Sequence, residues 1–163
     1  MDAKVDKTLK ITTPSDLEFA MTRVFDAPRH LVFDAMTKPE HVRRWLGSAE
    51  QAVLGCEIDL RVGGGYRFTM RSAGGVASML QGTYREIARP ERVVFTERFS
   101  MPGFTSEEYQ VTSSFVEAGG RTTLTTTILH NSKENRDGHL NSGVEKGVAP
   151  AYDRLAEVVA AMA

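Results

Sequence analysis

The C-terminal segment of this chain, residues 137–163, reads DGHLNSGVEKGVAPAYDRLAEVVAAMA. Apolar residues recur in it at steps of three and four, namely at Leu140, Val144, Val148, Tyr152, Leu155, Val159 and Met162. This spacing places them on one side of an α-helix, so the segment predicts one long amphipathic helix. Pro150 lies inside it and lacks a backbone N–H, and we therefore expect the helix to bend there.

The hundred residues before this helix alternate apolar and polar side chains. Cys56, Ile58 and Leu60 alternate with charged neighbours, for example, and a run of three glycines at 63–65 then supplies a turn. A period of two with short glycine turns predicts an antiparallel meander that buries one face. The predicted strands lie near residues 56–60, 66–71, 78–87, 93–99, 109–115 and 124–130.

Two strand pieces and two short helices precede the meander. Alternation predicts strands near residues 8–13 and 17–25, separated by a break at residues 14–16. Asp26 is a candidate cap for a helix that begins near Pro28. Thr37 is a candidate cap for a second short helix, which a glycine at position 47 should end.

The order of these elements predicts an α+β fold in a single domain, residues 1–163, of which residues 1–7 are expected to be flexible. A sheet with one apolar face must cover that face, and the long terminal helix is the only predicted element large enough. We therefore expect a curved antiparallel sheet wrapped around this helix, with Tyr66, Phe68, Phe95 and Leu155 largely buried. A gap between such a sheet and its helix is a common ligand site.

Composition and charge exclude several classes of protein. The formal net charge of −1 over 163 residues lacks the basic excess of a nucleic-acid binder. No apolar run approaches the ~20 residues that span a bilayer, and residues 1–10 lack the apolar core of a signal peptide. Cys56 is the single cysteine, which rules out an internal disulfide and favours the reducing cytoplasm.

The sequence contains no recognisable catalytic motif. The four histidines lack the paired spacing of a zinc site, and Cys56 has no partner nearby in sequence. The glycine run at 63–65 lies between two strands rather than before a helix, which is typical of a turn and not of a phosphate loop. We therefore expect neither a metal nor a cofactor.

Glu97 and His130 are the most informative polar residues. Glu97 shares its predicted face with Val93, Phe95 and Phe99, and a buried carboxylate needs a partner or a raised pKa. It could bind a polar ligand group or act in acid–base chemistry; alternatively, it forms an internal salt bridge or lies at the rim of the sheet. The same alternatives hold for His130.

A set of aromatic and apolar side chains alternates onto the same predicted concave face. Such residues are ordinary core residues, and they also suit the lining of a cavity for an apolar or aromatic ligand, with tyrosine hydroxyls as polar anchors. The set consists of Tyr66, Phe68, Met70, Tyr84, Phe95 and Tyr109.

An ordered set of short motifs resembles a known family. The motifs are Asp26-Ala27-Pro28-Arg29, Lys38-Pro39-Glu40-His41 with Trp45, Gly63-Gly64-Gly65-Tyr66, Gly82-Thr83-Tyr84, Arg92-Val93-Val94-Phe95-Thr96-Glu97, and Gly147 followed by Tyr152-Asp153-Arg154-Leu155. Together they resemble the AHSA1-like (activator of Hsp90 ATPase homologue 1-like) branch of the START/Bet v 1 (SRPBCC) superfamily. The resemblance implies a helix-grip fold with an apolar cavity between sheet and helix.

The resemblance also implies which further residues border that cavity. Trp45, Gly143, Gly147 and Val148 join Glu97, His130 and the aromatic set as cavity candidates. Two positions depart from the family pattern: Leu46 stands where a second aromatic residue is frequent, and Val148 stands where tryptophan often follows the helix glycine. These changes alter the expected cavity wall.

Three functional hypotheses follow. The first is non-enzymatic binding of a small hydrophobic or aromatic molecule in the cavity. The second is a co-chaperone or other protein-interaction module, for which the basic cluster between Arg29 and Arg44 offers a surface. The third is a cyclase-like enzyme that uses Glu97 or His130. The sequence leaves the oligomeric state open, a homodimer included.

Overall fold

The structure is a computed structural model that describes residues 6–163. Most of the segment 1–7, for which we predict flexibility, therefore lies outside the described residues. The described part contains nine strands and four helices. The strands are β1 (Lys10–Ser15), β2 (Glu18–Phe25), β3 (Gln51–Ile58), β4 (Gly65–Ser72), β5 (Ala77–Ala88), β6 (Arg92–Met101), β7 (Phe104–Thr105), β8 (Tyr109–Ala118) and β9 (Arg121–Leu129), and the helices are α1 (Arg29–Thr37), α2 (Pro39–Leu46), α3 (Lys133–Leu140) and α4 (Val144–Met162).

The strands form one open antiparallel sheet, as the sequence predicts. Its order is β1-β2-β9-β8-β6-β5-β4-β3, with the short β7 paired to β6. Helices α1 and α2 carry the chain from β2 to the far edge strand β3, and the meander then returns strand by strand to β9, beside β2. β9 alternates in burial along its length, so the sheet buries one face.

The core lies between this buried face and the helices. A large apolar cluster joins α1, α2 and α4 to the sheet and includes Phe33 and Leu155, both completely buried. A smaller cluster around Phe19 and Ile128 occupies the β2–β9–β8 side. Complete burial of one such side chain contributes roughly 1.5–3 kcal/mol of transfer free energy. Phe95 packs against both clusters and connects them.

The prediction of one continuous terminal helix is wrong at its beginning. The chain forms two helices, α3 and α4, separated at residues 141–143. Gly143 adopts φ 93°, a left-handed conformation that interrupts the helical path and that glycine adopts without strain. The predicted apolar stripe is confirmed within α4, where Tyr152, Leu155 and Val159 are buried and the helix continues through Pro150.

Both predicted helix caps are also wrong. α1 begins after Pro28 and α2 after Lys38, and neither of these residues makes a side-chain cap hydrogen bond. Asp26 accepts a hydrogen bond from Arg121 Nε at 2.8 Å instead. Thr37 lies in the last turn of α1 and donates its hydroxyl to the Phe33 carbonyl at 2.7 Å.

α4 lies across the sheet with its closest backbone neighbours on α2 and α1. Arg23 on β2 pairs with Asp153 of α4 at 2.7 Å, and Thr126 on β9 makes a 3.2 Å hydrogen bond with the hydroxyl of Tyr152. These contacts fix α4 on the β2–β9 side of the sheet. Among residues 6–163, no helix has the length and apolar character needed to cross a membrane.

The inner face is less tightly covered on the β4–β6 side. Phe68, Leu80 and Phe95 pack toward the core yet remain only partly buried, and so do Val148 and Ala151 of α4. The predicted burial is therefore confirmed for Tyr66 and Leu155, whereas Phe68 and Phe95 are only partly buried. Partial exposure of inward-facing apolar groups indicates that solvent reaches between the sheet and α4.

Candidate ligand-binding site

One row of polar side chains crosses the inner face of the sheet. Tyr66 on β4 is paired in register with Gly82 on β5, and Glu97 on β6 with Tyr109 on β8. His130 follows β9 directly, and its ring centroid lies 4.8 Å from that of Tyr109. We call Tyr66, Glu97, Tyr109 and His130 the polar row. All four are candidates from the sequence, and the strand register brings them together.

Glu97 lies at the centre of the polar row. Tyr66 Oη donates a hydrogen bond to Glu97 Oε1 at 3.0 Å, and Tyr109 Oη donates one to Oε2 at 2.8 Å. Burial raises the pKa of Glu97, and the hydrogen bonds from Tyr109 and Tyr66 offset part of that effect. In the part of the chain that the structure describes, Glu97 pairs with no basic side chain, so the internal salt bridge we considered is not formed.

The two tyrosines act as donors because they keep their protons. Burial is the main cause that raises the pKa of Tyr66 and of Tyr109, and the neighbouring Glu97 charge raises both further. Both side chains are almost fully buried. The row therefore presents a carboxyl group held from two sides by neutral hydroxyl groups.

Gly82 allows this arrangement across β5. Tyr66 and Glu97 lie on strands that flank β5, so the tyrosine must pass over its backbone. A Cβ atom at Gly82 would lie 1.7 Å from the Thr96 carbonyl oxygen and 3.0 Å from Tyr66 Cε1. A glycine inside a strand often marks such a close approach, so Gly82 is the sequence signal that could have indicated it.

A histidine pair closes one end of the polar row. His130 Nε2 and His139 Nδ1 are 2.9 Å apart, which joins the end of β9 to the last turn of α3. Burial lowers the pKa of both imidazoles, and for His139 the value falls to about 4, with His130 as a second cause. Both rings are therefore neutral near pH 7. Sequence reasoning missed His139, because its position depends on how α3 turns back onto the sheet.

His130 retains an unpartnered polar atom. Its Nδ1 is buried and makes no hydrogen bond within residues 6–163. The ring of Tyr109 packs against both imidazoles, with centroid distances of 4.8 and 5.0 Å. A ligand group that reaches this end of the row would meet a free imidazole nitrogen.

Aromatic rings flank the polar row. Tyr66 lies 5.1 Å from Phe68 and 5.3 Å from Phe95, measured between ring centroids, and Tyr84 lies 5.9 Å from Phe95. Val148 on α4 packs against both apolar clusters. Together these groups make a lining that is mostly apolar with a few polar positions, which is typical of a small-molecule site.

The remaining sequence candidates lie away from this lining. Trp45 is buried against Tyr152 and donates its indole N–H to the Ala35 carbonyl at 2.9 Å. Met70 is buried, and its sulfur accepts a 3.1 Å hydrogen bond from Gln51 Nε2. Gly143 and Gly147 are exposed, and a Cβ at either would meet no atom within 4 Å.

A groove in the sheet has Tyr66 and Gly82 in its lining together with charged and polar residues. It has a volume of about 590 Å³ and crosses β3 to β6. Its walls include charged side chains, among them Glu57, Asp59, Arg67, Arg98 and Glu108. Because this lining is largely charged or polar and includes no residue of α4, the groove is not the apolar cavity that the sequence predicts.

The sequence matches the profile of a protein family over residues 26–160, the greater part of the 163-residue chain. That family is described as "Activator of Hsp90 ATPase homolog 1-like protein". The chain belongs to this family. None of the curated proteins matches the sequence significantly.

Solved structures share the fold of this AHSA1-like protein. A crystal structure of a Rhodobacter sphaeroides protein is 23% identical, with a TM-score of 0.86 and coverage of 94% of this chain and 99% of that chain. A Mycobacterium smegmatis protein is 20% identical, with a TM-score of 0.82 and coverage of 93% and 96%. An Arthrobacter aurescens protein is 19% identical, with a TM-score of 0.80 and coverage of 93% and 91%.

Membership of the AHSA1-like family supports a ligand-binding or co-chaperone type of module. The helix-grip architecture that the resemblance implies is confirmed by these structures. At such low identities the similarity concerns the fold alone.

Proposed function

We propose that this AHSA1-like protein binds a small hydrophobic or aromatic molecule between the sheet and α4, without chemical turnover. The observation that carries the proposal is the partial exposure of inward-facing Phe68, Leu80 and Phe95 on the sheet and of Val148 on α4, which pack against the same core cluster. Apolar side chains that solvent can reach in a concave site lose that contact when a ligand covers them.

In this proposal the candidates have distinct roles. Phe68, Phe95 and Val148 contact the apolar body of the ligand, and the polar row fixes its orientation. Tyr84 packs against Phe95 as part of the lining, whereas Trp45 and Met70 are buried away from it. Gly143, which precedes α4, and Gly147 in the first turns of α4 are exposed to solvent.

A fluorescence titration with the neutral probe N-phenyl-1-naphthylamine tests this function. The folded wild-type protein should bind the probe saturably at one site. Val148→Phe places a larger ring in the gap and should weaken binding by about tenfold, which corresponds to about 1.4 kcal/mol. Val116→Phe is the matched control, because Val116 is an exposed residue of β8. Absence of probe binding to folded wild-type protein would contradict the proposal.

A co-chaperone role is the second candidate. Within residues 6–163, Arg43 and Arg44 of α2 are exposed and form no ion pair, whereas Lys38 and Arg29 nearby pair with acidic side chains. The joint substitution Arg43→Glu and Arg44→Glu should slow association with an acidic partner surface, and the effect should shrink at high salt. A chaperone ATPase assay that compares wild type with this double variant measures the effect.

A cyclase-like activity through Glu97 or His130 stays a prediction. A turnover assay that compares wild type with Glu97→Gln would check it.

A further inference from the structure

The Glu97 side chain is partly buried on the inner face, and the hydrogen bonds of its carboxyl group come from neutral groups. Its two hydrogen-bond donors are the hydroxyls of Tyr66 and Tyr109. A carboxylate taken out of water is strongly destabilised unless a cation or several donors compensate its charge. Two neutral hydroxyls satisfy only part of the acceptor capacity of a carboxylate, which offers about four lone-pair sites.

The basic side chains of the interior cannot supply the missing cation. Arg23 and Arg136 are the buried arginines of the described residues. Arg23 pairs with Asp153 at 2.7 Å, and Arg136 pairs with Asp137 at 2.8 Å and donates to the Ser15 carbonyl. Both arginines thus pair with other carboxylates, although Arg23 Nε makes no hydrogen bond, and neither arginine pairs with Glu97 in the described residues.

The surroundings of Glu97 favour a positively charged group. The rings of Tyr66, Phe95 and Tyr109 lie on the same inner face, and aromatic faces attract cations through their quadrupole. The titratable groups that face this region from the other elements are Tyr84 on β5, Tyr152 on α4, His130 and His139. Burial holds all four in their neutral forms near pH 7, so none of them competes with a bound cation.

We propose that the occupant of this site is a cationic amphiphile, an apolar or aromatic body that carries one protonated amine, and that its ammonium group pairs with Glu97. The proposal rests on the proposed ligand-binding function and adds the chemical class of the ligand. Tyr66 and Tyr109 hold the carboxylate in place, and the ammonium donates to the remaining acceptor positions as a charge-assisted hydrogen bond.

Three naphthalene compounds with the same apolar body test this chemistry. They are 1-naphthylmethylamine, 1-naphthylmethanol and 1-naphthoate, measured by displacement of N-phenyl-1-naphthylamine and by calorimetry. Wild-type protein should bind the amine at least about tenfold more tightly than the alcohol, a difference of about 1.4 kcal/mol. The acid should bind most weakly, because its carboxylate is repelled by Glu97.

Glu97→Gln is the decisive variant, because it removes the charge and keeps the shape. It should abolish the preference for the amine, so that the variant binds the amine and the alcohol equally within about twofold. Glu157→Gln, an exposed position of α4, is the control for the change in net charge. An amine preference that survives in Glu97→Gln would overturn the proposal.

The pH dependence of the wild type provides an independent measurement if Glu97→Gln does not fold. The amine-to-alcohol preference should fall as the pH is lowered through the raised pKa of Glu97, because protonation of Glu97 removes the charge that binds the ammonium. Equal wild-type affinities for amine and alcohol would refute the charge pairing while leaving ligand binding in place. If none of the compounds and no probe bind, the proposed function fails, and this inference fails with it.

Discussion

Glu97 combines two opposing effects within one side chain. Burial raises the pKa of its carboxyl group, whereas Tyr109 and Tyr66 stabilise the ionised form by donating hydrogen bonds. The burial effect is the larger one, so the folded state retains a proton at pH values where the unfolded chain has lost it. The stability of the wild type should therefore decline as pH rises above the ordinary pKa of glutamate, 4.5, and through the raised value.

Glu97→Gln should remove this decline. A glutamine keeps an oxygen that accepts from Tyr66, and its amide group can donate to the hydroxyl of Tyr109. We expect the variant to have a higher free energy of unfolding than wild type at about pH 7 and a similar one at about pH 4. Urea unfolding at the two pH values measures the difference. A variant that is equally destabilised at both values would show that Glu97 stabilises the fold through contacts that glutamine cannot replace.

His130 and His139 give the opposite dependence. Both pKa values are lowered by burial, that of His139 to about 4 from an ordinary 6.5. The unfolded chain therefore binds more protons between these values, and their contribution to stability is lost as pH falls from about 6.5 toward 4. Because Glu97 acts in the other direction over part of this range, the effect is best measured in Glu97→Gln.

In the Glu97→Gln background, we expect His139→Asn to flatten the loss of stability between pH 7 and about pH 4.5. The substitution removes the imidazole of His139, which titrates, and with it the hydrogen bond between the rings of His130 and His139. Thermal unfolding at several pH values in this range measures the slope. An unchanged slope would mean that other groups cause the acid sensitivity.

At the scale of elements, the junction between α3 and α4 and the interior of α4 make different demands on glycine. Gly143 precedes α4 with φ 93°, whereas Gly147 lies within the helix and faces open space. At position 143, any residue with a side chain would be strained in the left-handed conformation. At position 147, alanine would be a better helix former than glycine. The two glycines therefore form a matched pair for substitution.

Gly143→Ala should destabilise the protein by about 1–2 kcal/mol, the usual cost of a left-handed conformation for an L-residue. Gly147→Ala should stabilise it by up to about 1 kcal/mol, since alanine has a higher helix propensity. Chemical denaturation of both variants compares them directly. Changes of the same sign in the two variants would disagree with this description of the junction.

The elements could be predicted from the sequence because each follows a simple period. Strand alternation is clearest in β8 and β9, and the stripe of α4 is buried at Tyr152, Leu155 and Val159. The break before α4 was missed because Leu140 and Val144 keep the helical spacing on both sides of Gly143. The caps were missed because the chain enters α1 and α2 through extended Pro28 and Lys38 without side-chain help. The pair of His130 with His139 depends on tertiary packing, which no local pattern encodes.

At the scale of the whole molecule, we predict that residues 1–163 unfold as one domain. Trp45 is the only tryptophan, and it packs against Tyr152 of α4, whereas far-UV circular dichroism reports on the sheet as well. The two signals should give coincident urea transitions. A tryptophan transition that precedes the loss of sheet signal would indicate that the helices unfold separately from the sheet.

The passage of Tyr66 over Gly82 has an evolutionary consequence. A side chain at position 82 would collide with the backbone of β6. The hydroxyl of a tyrosine at position 66 can donate its hydrogen bond across β5 only if the residue at position 97 has an acceptor. These three positions should therefore covary: relatives that replace Gly82 should also have lost the tyrosine or the glutamate. Such lineages would have diverged in what their interior recognises while retaining the same architecture.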